Sequence, residues 1–297
     1  MAATKPHSRA GQVHLRKTRG GAPIMDVVRA WSSELQRILN HDVQLIQEVR
    51  VGLFYTAVQI SSGHVGVAFT PRQTREEIHS STVPAGHLIG AHAWQFAEFA
   101  FAEASLQRAI GLATLNALSE LAIIHYGHPR GRIIQGLDLS ELAEVRASDR
   151  VVVVGGSVPF LKTCKTQVAS LWIVDKRRES LRPEERQFWM WPNRTVETVR
   201  YADVVFISGA SLVELDIDDL LRAAAGARRV LLVGPTTPLW GPPFFARGVH
   251  ALVGMRVHDS AGLLRLVSEG GCDELFDQMA DNVTVLADER YDNGQAA

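Results

Sequence analysis

Residues 150–175 read RVVVVGGSVPFLKTCKTQVASLWIVD, and this stretch decides the fold. Val151 to Val154 is a run of four β-branched residues that is too short for a helix, so it predicts a strand buried on both faces. The run stops at Gly155-Gly156, and a second apolar run, Leu171 to Val174, ends on Asp175. A strand, a glycine turn and a second strand ending in an acid are typical of a nucleotide-binding βαβ unit.

The nucleotide-binding pattern is incomplete in this stretch. It has no full G-x-G-x-x-G motif, and Pro159 stands where a phosphate-binding helix would begin. Proline is accepted in a first helical turn, so a short helix over 160–166 remains open. Many parallel sheets carry Gly and Asp at strand ends without binding a cofactor. The stretch therefore predicts a buried α/β sheet. Its strand ends either bind a nucleotide or serve only as turns of the sheet.

Strand-like and helix-like segments alternate along the rest of this half of the chain. Helical patterns cover 216–225 and 260–268, and the strand-like segments are 151–154, 171–174, 204–208, 230–233 and 251–253. This alternation implies a parallel sheet with right-handed crossovers. We therefore predict a Rossmann-like α/β domain over 127–280.

Small and hydroxylated residues follow the predicted strands. Ligands of such sheets bind beyond the carboxyl ends of the strands, where these residues can offer backbone N–H groups and hydroxyls. The alternative is that they are only turn residues. The candidate cofactor-binding residues are Gly155, Gly156, Asp175, Ser208, Gly209, Thr236 and Thr237, with Ser211 as a substrate-binding candidate.

The first half of the chain has a different pattern. Apolar residues recur at helical spacing over 24–39, and three strand-like segments follow at 43–51, 53–60 and 65–69. From His87 to His125 the pattern is helical, with a predicted break near Gly111. This order predicts a smaller α+β domain over 23–126, preceding the α/β domain.

The overall composition and charge limit the classes of function that the protein can have. The net charge of −1 argues against a general nucleic-acid binder, and the apolar runs are shorter than a bilayer span requires. Two cysteines, without the apolar block of a signal peptide, fit a reducing cytoplasm. We expect a cytoplasmic homo-oligomer, in its simplest form a dimer, that binds a small molecule and neither nucleic acid nor membrane.

Both ends of the chain are predicted to be tails. Residues 1–22 carry five Lys and Arg and no acid, and they lack apolar periodicity. Such a segment is either an arm for an anionic partner or a solvated, disordered tail, and the missing periodicity favours the tail. Residues 281–297 are assigned to a second tail.

Four segments together resemble a known family. They are YTAV at 55–58, GLATLNA at 111–117, ADVVFISGASLV at 202–213 and GPTTPL at 234–239. In order and spacing they are similar to the domains of unknown function 364 and 4213, which are described as "putative heavy-metal chelation". The resemblance spans residues 25 to 275. It implies a Rossmann-like domain preceded by an enolase N-terminal-like domain, with a site between them that involves Thr56 as a substrate-binding residue.

The chain departs from the family pattern in one segment. Glu214 stands where the family usually has Asn, Asp216 where it has Thr, and Ser208 replaces Thr while keeping a hydroxyl. The two acids could supply oxygen ligands to a divalent cation. Alternatively they favour the first turn of the next helix, and Asp216 is placed as its cap.

Metal and catalytic motifs are weak in this sequence. It has no H-x-x-x-H or C-x-x-C spacing and no G-x-S-x-G elbow. Glu214 and Cys272 are the candidate metal ligands, although a lone cysteine is more often packing. Glu214 and His64 are the candidate catalytic groups, and each alone is more often structural.

Three hypotheses about function follow. The first is a binding protein or enzyme for a metal-chelating metabolite held between the two domains. The second is a group-transfer or cyclising enzyme that uses S-adenosylmethionine, with the adenosyl part at Gly155, Gly156 and Asp175. The third is a non-catalytic scaffold subunit with an apolar surface and no enclosed pocket.

Overall fold

The computed structural model describes residues 26–74, 83–134, 138–155, 168–214 and 217–288. The chain forms a small unit built on an antiparallel sheet and a larger unit built on a mostly parallel sheet, as the sequence predicted. The N-terminal tail 1–22, Gly156, the helix over 160–166 and the cap Asp216 lie outside the described residues.

The N-terminal unit is a three-stranded meander covered by helices. Its elements are α1 (Asp26–Ile38), β1 (Ile46–Val51), β2 (Tyr55–Ile60), β3 (Val65–Phe69), α2 (Ala93–Ala97) and α3 (Ser105–Tyr126). The strands pair in the order β1-β2-β3, and both pairs are antiparallel. The predicted helix and the three predicted strands are confirmed. The buried face of α1 carries Val27, Val28, Trp31 and Leu35, which recur at helical spacing.

The predicted helix break near Gly111 is wrong, because α3 runs without interruption from Ser105 to Tyr126. Gly111 instead allows a close approach. A Cβ atom at this position would lie 2.0 Å from the backbone nitrogen of Ala100. The glycine is therefore needed for packing against the preceding turn, and the tertiary contact outweighs its low helix propensity.

Helix α3 is long and apolar enough to cross a membrane by length and composition, but 83% of its most apolar window is buried inside the protein. It packs across strands β2 and β3. Its interior position explains its apolar composition, so it is the central core helix of the N-terminal unit.

The C-terminal unit is an eight-stranded sheet. Its strands are β4 (Gly131–Ile134), β5 (Arg150–Val154), β6 (Ser170–Val174), β7 (Trp189–Met190), β8 (Val204–Ser208), β9 (Arg229–Val233), β10 (Ala251–Val257) and β11 (Ala280–Ala287). Their order is β4-β11-β10-β9-β8-β5-β6-β7. The central pairs are parallel, whereas β11 is antiparallel to both β10 and β4.

Short helices connect the strands of this sheet. They are α4 (Leu139–Leu142), α5 (Thr195–Arg200), α6 (Ser211–Glu214), α7 (Ile217–Ala223), α8 (Pro242–Phe245) and α9 (Ser260–Ser268). Helix α4 is capped by Asp138, whose carboxylate accepts hydrogen bonds from the backbone N–H groups of Ser140 and Glu141.

The C-terminal tail predicted for 281–297 is wrong over its first part. Residues 280–287 form β11, which pairs with β10 along its length and then with β4. The segment 280–287 does not alternate strictly between buried and exposed positions, so it lacks the regular two-residue period of a half-buried strand. Its antiparallel return to the sheet has no local turn signal comparable to the glycines after β5.

The central strands are buried on both faces, as the valine run predicted. Val152 and Val154 of β5 belong to the core shared with the N-terminal unit, whereas Val151 and Val153 belong to a second core on the other face. This alternation follows from the two-residue period of a strand. Strand β8 divides its residues between the same two cores.

The chain reverses its direction across the sheet between β5 and β8. From β5 it proceeds outward through β6 to β7, and it then returns to place β8 on the other side of β5. Such a switch point leaves a crevice at the carboxyl ends of the strands, which is the usual ligand position in this architecture.

Candidate functional site

A cavity of about 610 Å³ lies at this switch point. Its floor is formed by the carboxyl ends of β5, β6, β8 and β9, and the N-terminal unit contributes residues from β2, β3 and α3. The residues used below are Tyr55, Arg72, Arg108, Gly155, Asp175, Lys176, Ser208, Gly209, Ser211, Glu214, Thr236 and Asp273. The space is large enough for a metabolite of ordinary size.

The structure brings most of the predicted strand-end residues together. Gly155, Asp175, Ser208, Gly209 and Thr236 all line the cavity, and we call this set the strand-end wall. Gly155 has a φ of +91°, and a Cβ atom there would lie 2.6 Å from the Cβ of Ser208. Both the backbone conformation and the packing therefore require glycine at this point.

Asp175 lines the cavity and also builds the loop that follows β6. Its Oδ1 accepts hydrogen bonds from the backbone N–H of Arg177 at 2.8 Å and from the Ser180 hydroxyl at 2.9 Å. Its backbone carbonyl accepts a hydrogen bond from Trp189 Nε1 at 2.9 Å. One of its carboxylate oxygens is thus engaged in a turn of the kind that Asp commonly forms.

Thr236 joins the two units. Its hydroxyl accepts a hydrogen bond from the backbone N–H of Phe69 at 2.9 Å, and its carbonyl accepts one from Asn116 Nδ2 at 3.1 Å. Asn116 also donates to the carbonyl of Val67. We call this contact between the units the seam. The side chain of Thr237 lies behind it, in a small separate space beside Asn116, and it does not line the main cavity. The predicted pair therefore splits into one lining residue and one core residue.

Helix α6 carries Ser211 and Glu214 into the lining of the cavity. Ser211 is buried, and Glu214 forms an ion pair with Lys176 at 2.7 Å. Arg108 of α3 reaches the same helix, because its Nε donates to the carbonyl of Val213. Arg108 is only 4% exposed, and its Nη1 also donates to the carbonyl of Ala102. Two cationic groups therefore meet at α6, one of them buried.

Besides Thr237, three predicted site residues lie outside the cavity lining. Thr56 is fully buried, and its hydroxyl oxygen is 2.9 Å from that of Thr70. The alternation of β2 sends Tyr55 toward the cavity, so the neighbouring side chain points the other way. His64 contacts the Ser62 hydroxyl at 2.9 Å, and burial and then the nearby His125 lower its pKa. Cys272 is half-buried and precedes Asp273 without lining the cavity.

Tyr55 and Asp273 were missed by the sequence analysis. The Tyr55 hydroxyl and the Asp273 carboxylate lie close enough to influence each other's pKa, and both residues line the cavity. The Tyr55 ring packs on Phe276, with 5.0 Å between the ring centroids. Tyr55 begins the YTAV segment, so its place at the start of β2 could have indicated it. Asp273 lies two residues after Gly270-Gly271 and belongs to no motif. We call these two residues the Tyr55–Asp273 pair.

Burial dominates the electrostatics of the Tyr55–Asp273 pair. Desolvation raises the pKa of Asp273, the charge of Glu274 adds to the rise, and the nearby Tyr55 hydroxyl opposes it. Desolvation also raises the pKa of Tyr55, followed by the negative charge of Asp273. The phenol therefore stays protonated, and Asp273 is the member of the pair whose charge can change.

A resident metal ion does not fit the residues that the structure describes. Protein metal sites normally gather three or four side-chain ligands. Over the described ranges, no group of three or more His, Cys, Asp or Glu side chains is placed to hold an ion. Of the two predicted ligands, Glu214 lines the cavity and is paired with Lys176, whereas Cys272 does not line it.

The fold and the cavity define a class: a protein in which a Rossmann-like α/β unit faces a smaller α+β unit across a cleft. Residues 138–286 match the model of the domain of unknown function 364, and residues 36–119 match that of the domain of unknown function 4213. Both are described as "Putative heavy-metal chelation". The chain therefore belongs to this family, as the four sequence motifs predicted.

Two solved structures from the family are similar to the chain. A protein with unknown function from Desulfitobacterium hafniense is 24% identical with a TM-score of 0.67, and the match covers 87% of this chain and 99% of that one. A second protein with unknown function, from Pyrococcus horikoshii, is 17% identical with a TM-score of 0.69, covering 88% and 100%. These similarities establish the fold. No curated protein sequence matches the chain significantly.

Proposed function

We propose that the protein binds an anionic, metal-chelating small molecule in the cavity between its two units. The observation that carries this proposal is the cavity itself, which lies at the switch point of the sheet and is lined by residues of both units. The family description supports a chelator as the ligand. The low cysteine content of the chain supports a cytoplasmic location for this function.

The charges around the cavity favour an anion. Arg72, Arg108, Lys176 and Arg177 contribute to its lining, against the acids Asp175, Glu214 and Asp273. Glu214 is paired with Lys176, and Asp175 is engaged by its own loop. Guanidinium groups such as those of Arg72 and Arg177 suit planar carboxylates, which are common groups of small chelators.

The family description and the metal-ligand search over the described residues are both consistent with a ligand that itself chelates the metal. If the described residues do not gather a metal site, chelation belongs to the bound molecule, whose own donor atoms would hold the ion. The metal is then cargo of the ligand. This proposal includes an enzyme that modifies such a molecule as well as a protein that only binds it.

The test is a thermal-shift screen with citrate, iminodiacetate and 2,3-dihydroxybenzoate, each with and without Zn²⁺. A compound that binds only the folded protein must raise its apparent stability. The Lys176→Glu variant should weaken binding of these anions about tenfold, since it reverses a charge in the lining. Arg178→Glu is the matched control, because Arg178 lies on the same loop without lining the cavity. Stabilisation by none of the compounds would contradict the proposal and favour a scaffold.

S-Adenosylmethionine is the second candidate ligand. It is favoured by the position of Asp175, which lines the cavity at the end of the strand next to β5, where an acid can bind ribose hydroxyls. In the same screen, Asp175→Asn should abolish a shift caused by S-adenosylmethionine, while its amide oxygen can still accept the hydrogen bonds of the loop. A shift that survives this change would exclude the assigned position.

A further inference from the structure

One hairpin of the N-terminal unit brings three aromatic residues to the cavity. Tyr55 and Phe69 stand directly opposite each other in the β2–β3 pair, so their side chains lie on the same face of the small sheet. Phe54 precedes Tyr55, and its carbonyl accepts a hydrogen bond from the Thr70 N–H at 2.9 Å, which extends the pairing by one residue. The three aromatic residues all line the cavity, and we call them the aromatic edge.

Two members of the aromatic edge are held by the C-terminal unit, whereas the third is open to solvent. The Phe69 N–H donates to the Thr236 hydroxyl at 2.9 Å, and the Tyr55 ring packs on Phe276. Phe54 is 43% exposed although it lines the cavity. Covering an apolar ring removes its surface from water and is favourable, most of all when the covering group is itself a flat ring. Phe54 is therefore the member of the edge that a ligand can cover.

The other unit supplies cationic groups to the same cavity. Lys176 and Arg177 directly follow β6, and both are exposed and line the cavity. Lys176 is paired with Glu214 at 2.7 Å, although its side chain is 61% exposed. Strand β5 lies between β6 and β8 in the sheet, so this ion pair reaches across the end of β5. Exposed ion pairs contribute little to stability, so a ligand carboxylate can replace Glu214 on Lys176 at a small cost.

We propose that the cavity selects aromatic carboxylates, with the ring against Phe54 and the carboxylate on Lys176 in place of Glu214. This inference rests on the proposed function and names the chemical class of the bound molecule. An aliphatic anion would satisfy Lys176 without stacking on the aromatic edge. An aromatic carboxylate with a neighbouring hydroxyl also offers two oxygen donors to a metal ion, which agrees with a metal-chelating ligand.

The test compares two probes that differ only in their ring. Salicylate has a planar aromatic ring, and cis-2-hydroxycyclohexanecarboxylate has a saturated one, while both carry a carboxylate next to a hydroxyl. We expect calorimetric titration of the wild type to show salicylate binding about fivefold to tenfold more tightly, as a ring-on-ring contact predicts. Phe54→Leu keeps an apolar side chain and should reduce this preference to less than about twofold. Tyr201→Leu, which removes an exposed ring outside the cavity lining, should keep it.

The exchange at Lys176 has its own readout. Glu214→Gln frees Lys176 from a competing carboxylate, so it should tighten the binding of both probes about threefold and leave their ratio unchanged. Glu179→Gln is the matched control, because Glu179 is an exposed acid of the loop after β6 that does not line the cavity. Equal or weaker binding by Glu214→Gln would contradict the exchange.

The outcomes separate this inference from the proposed function. If the wild type binds both probes equally well, or if Phe54→Leu keeps the full preference, the aromatic class is wrong, although the cavity still binds anions. If neither probe binds to the folded wild type, the class is also wrong. Stabilisation by citrate or iminodiacetate in the screen would then leave the proposed function standing.

Discussion

Two parts of the cavity lining are held in different ways. The strand-end wall is fixed by the sheet itself, through the close packing of Gly155 on Ser208 and the hydrogen bond from Phe69 to Thr236. At the Tyr55–Asp273 pair, the Tyr55 ring packs on Phe276, and burial penalises the charged form of the acid. Packing within the sheet stabilises the strand-end wall, whereas the partly buried charge of Asp273 destabilises the folded protein. A residue that costs stability in a cavity is a candidate for ligand binding.

The largest effect is expected from the strand-end wall. Gly155→Ala should destabilise the protein by about 3 kcal/mol or more, because it combines a positive φ with a Cβ clash. Urea unfolding measures the change. Gly226→Ala is the control, since a Cβ atom there meets nothing within 4 Å. A loss below about 1 kcal/mol at position 155 would show that this wall is not fixed by its packing.

The seam between the units is expected to contribute the next largest effect. Thr236→Val removes the acceptor of the Phe69 N–H and should cost about 1–3 kcal/mol, which is the usual penalty for an unsatisfied buried donor. Hydrogen exchange at Phe69 should accelerate in parallel. Thr284→Val in β11 should be close to neutral. Unchanged exchange at Phe69 would contradict the role assigned to Thr236.

Removing the Asp273 carboxylate from the other part of the lining should increase stability rather than decrease it. The folded-state pKa of Asp273 is raised, so the folded protein binds this proton more tightly, and its contribution to stability falls as pH rises above the unfolded value near 3.8. Asp273→Asn should therefore stabilise the protein at neutral pH, with a rise in Tm of about 1–3 °C, and have no such effect in strong acid. A lower Tm at neutral pH would show that Asp273 serves the fold.

The smallest effect is expected outside the cavity, at His64. Its folded-state pKa is lowered, so its contribution to stability is fully present above the unfolded value near 6.5 and is lost as pH falls below it. His64→Gln should reduce this acid-dependent loss by less than about 1 kcal/mol and leave ligand binding unchanged. Impaired binding of iminodiacetate by this variant would restore His64 as a site candidate.

The sequence predicted the parts of the fold that depend on local pattern. Four valines and two glycines indicated β5 and its turn, and the order of strand ends placed Asp175, Ser208 and Thr236 on one cavity. The break assigned to Gly111 and the tail assigned to 281–287 failed because distant packing decides both. Asp273 has no motif around it, and only the approach of the two units brings it to Tyr55.

The most direct test of the proposed function is a crystal structure of the protein with iminodiacetate at a saturating concentration. We expect iminodiacetate density in the cavity between the two units, with its carboxylates near Lys176. Iminodiacetate bound elsewhere on the protein, with the cavity between the two units filled by solvent, would contradict it.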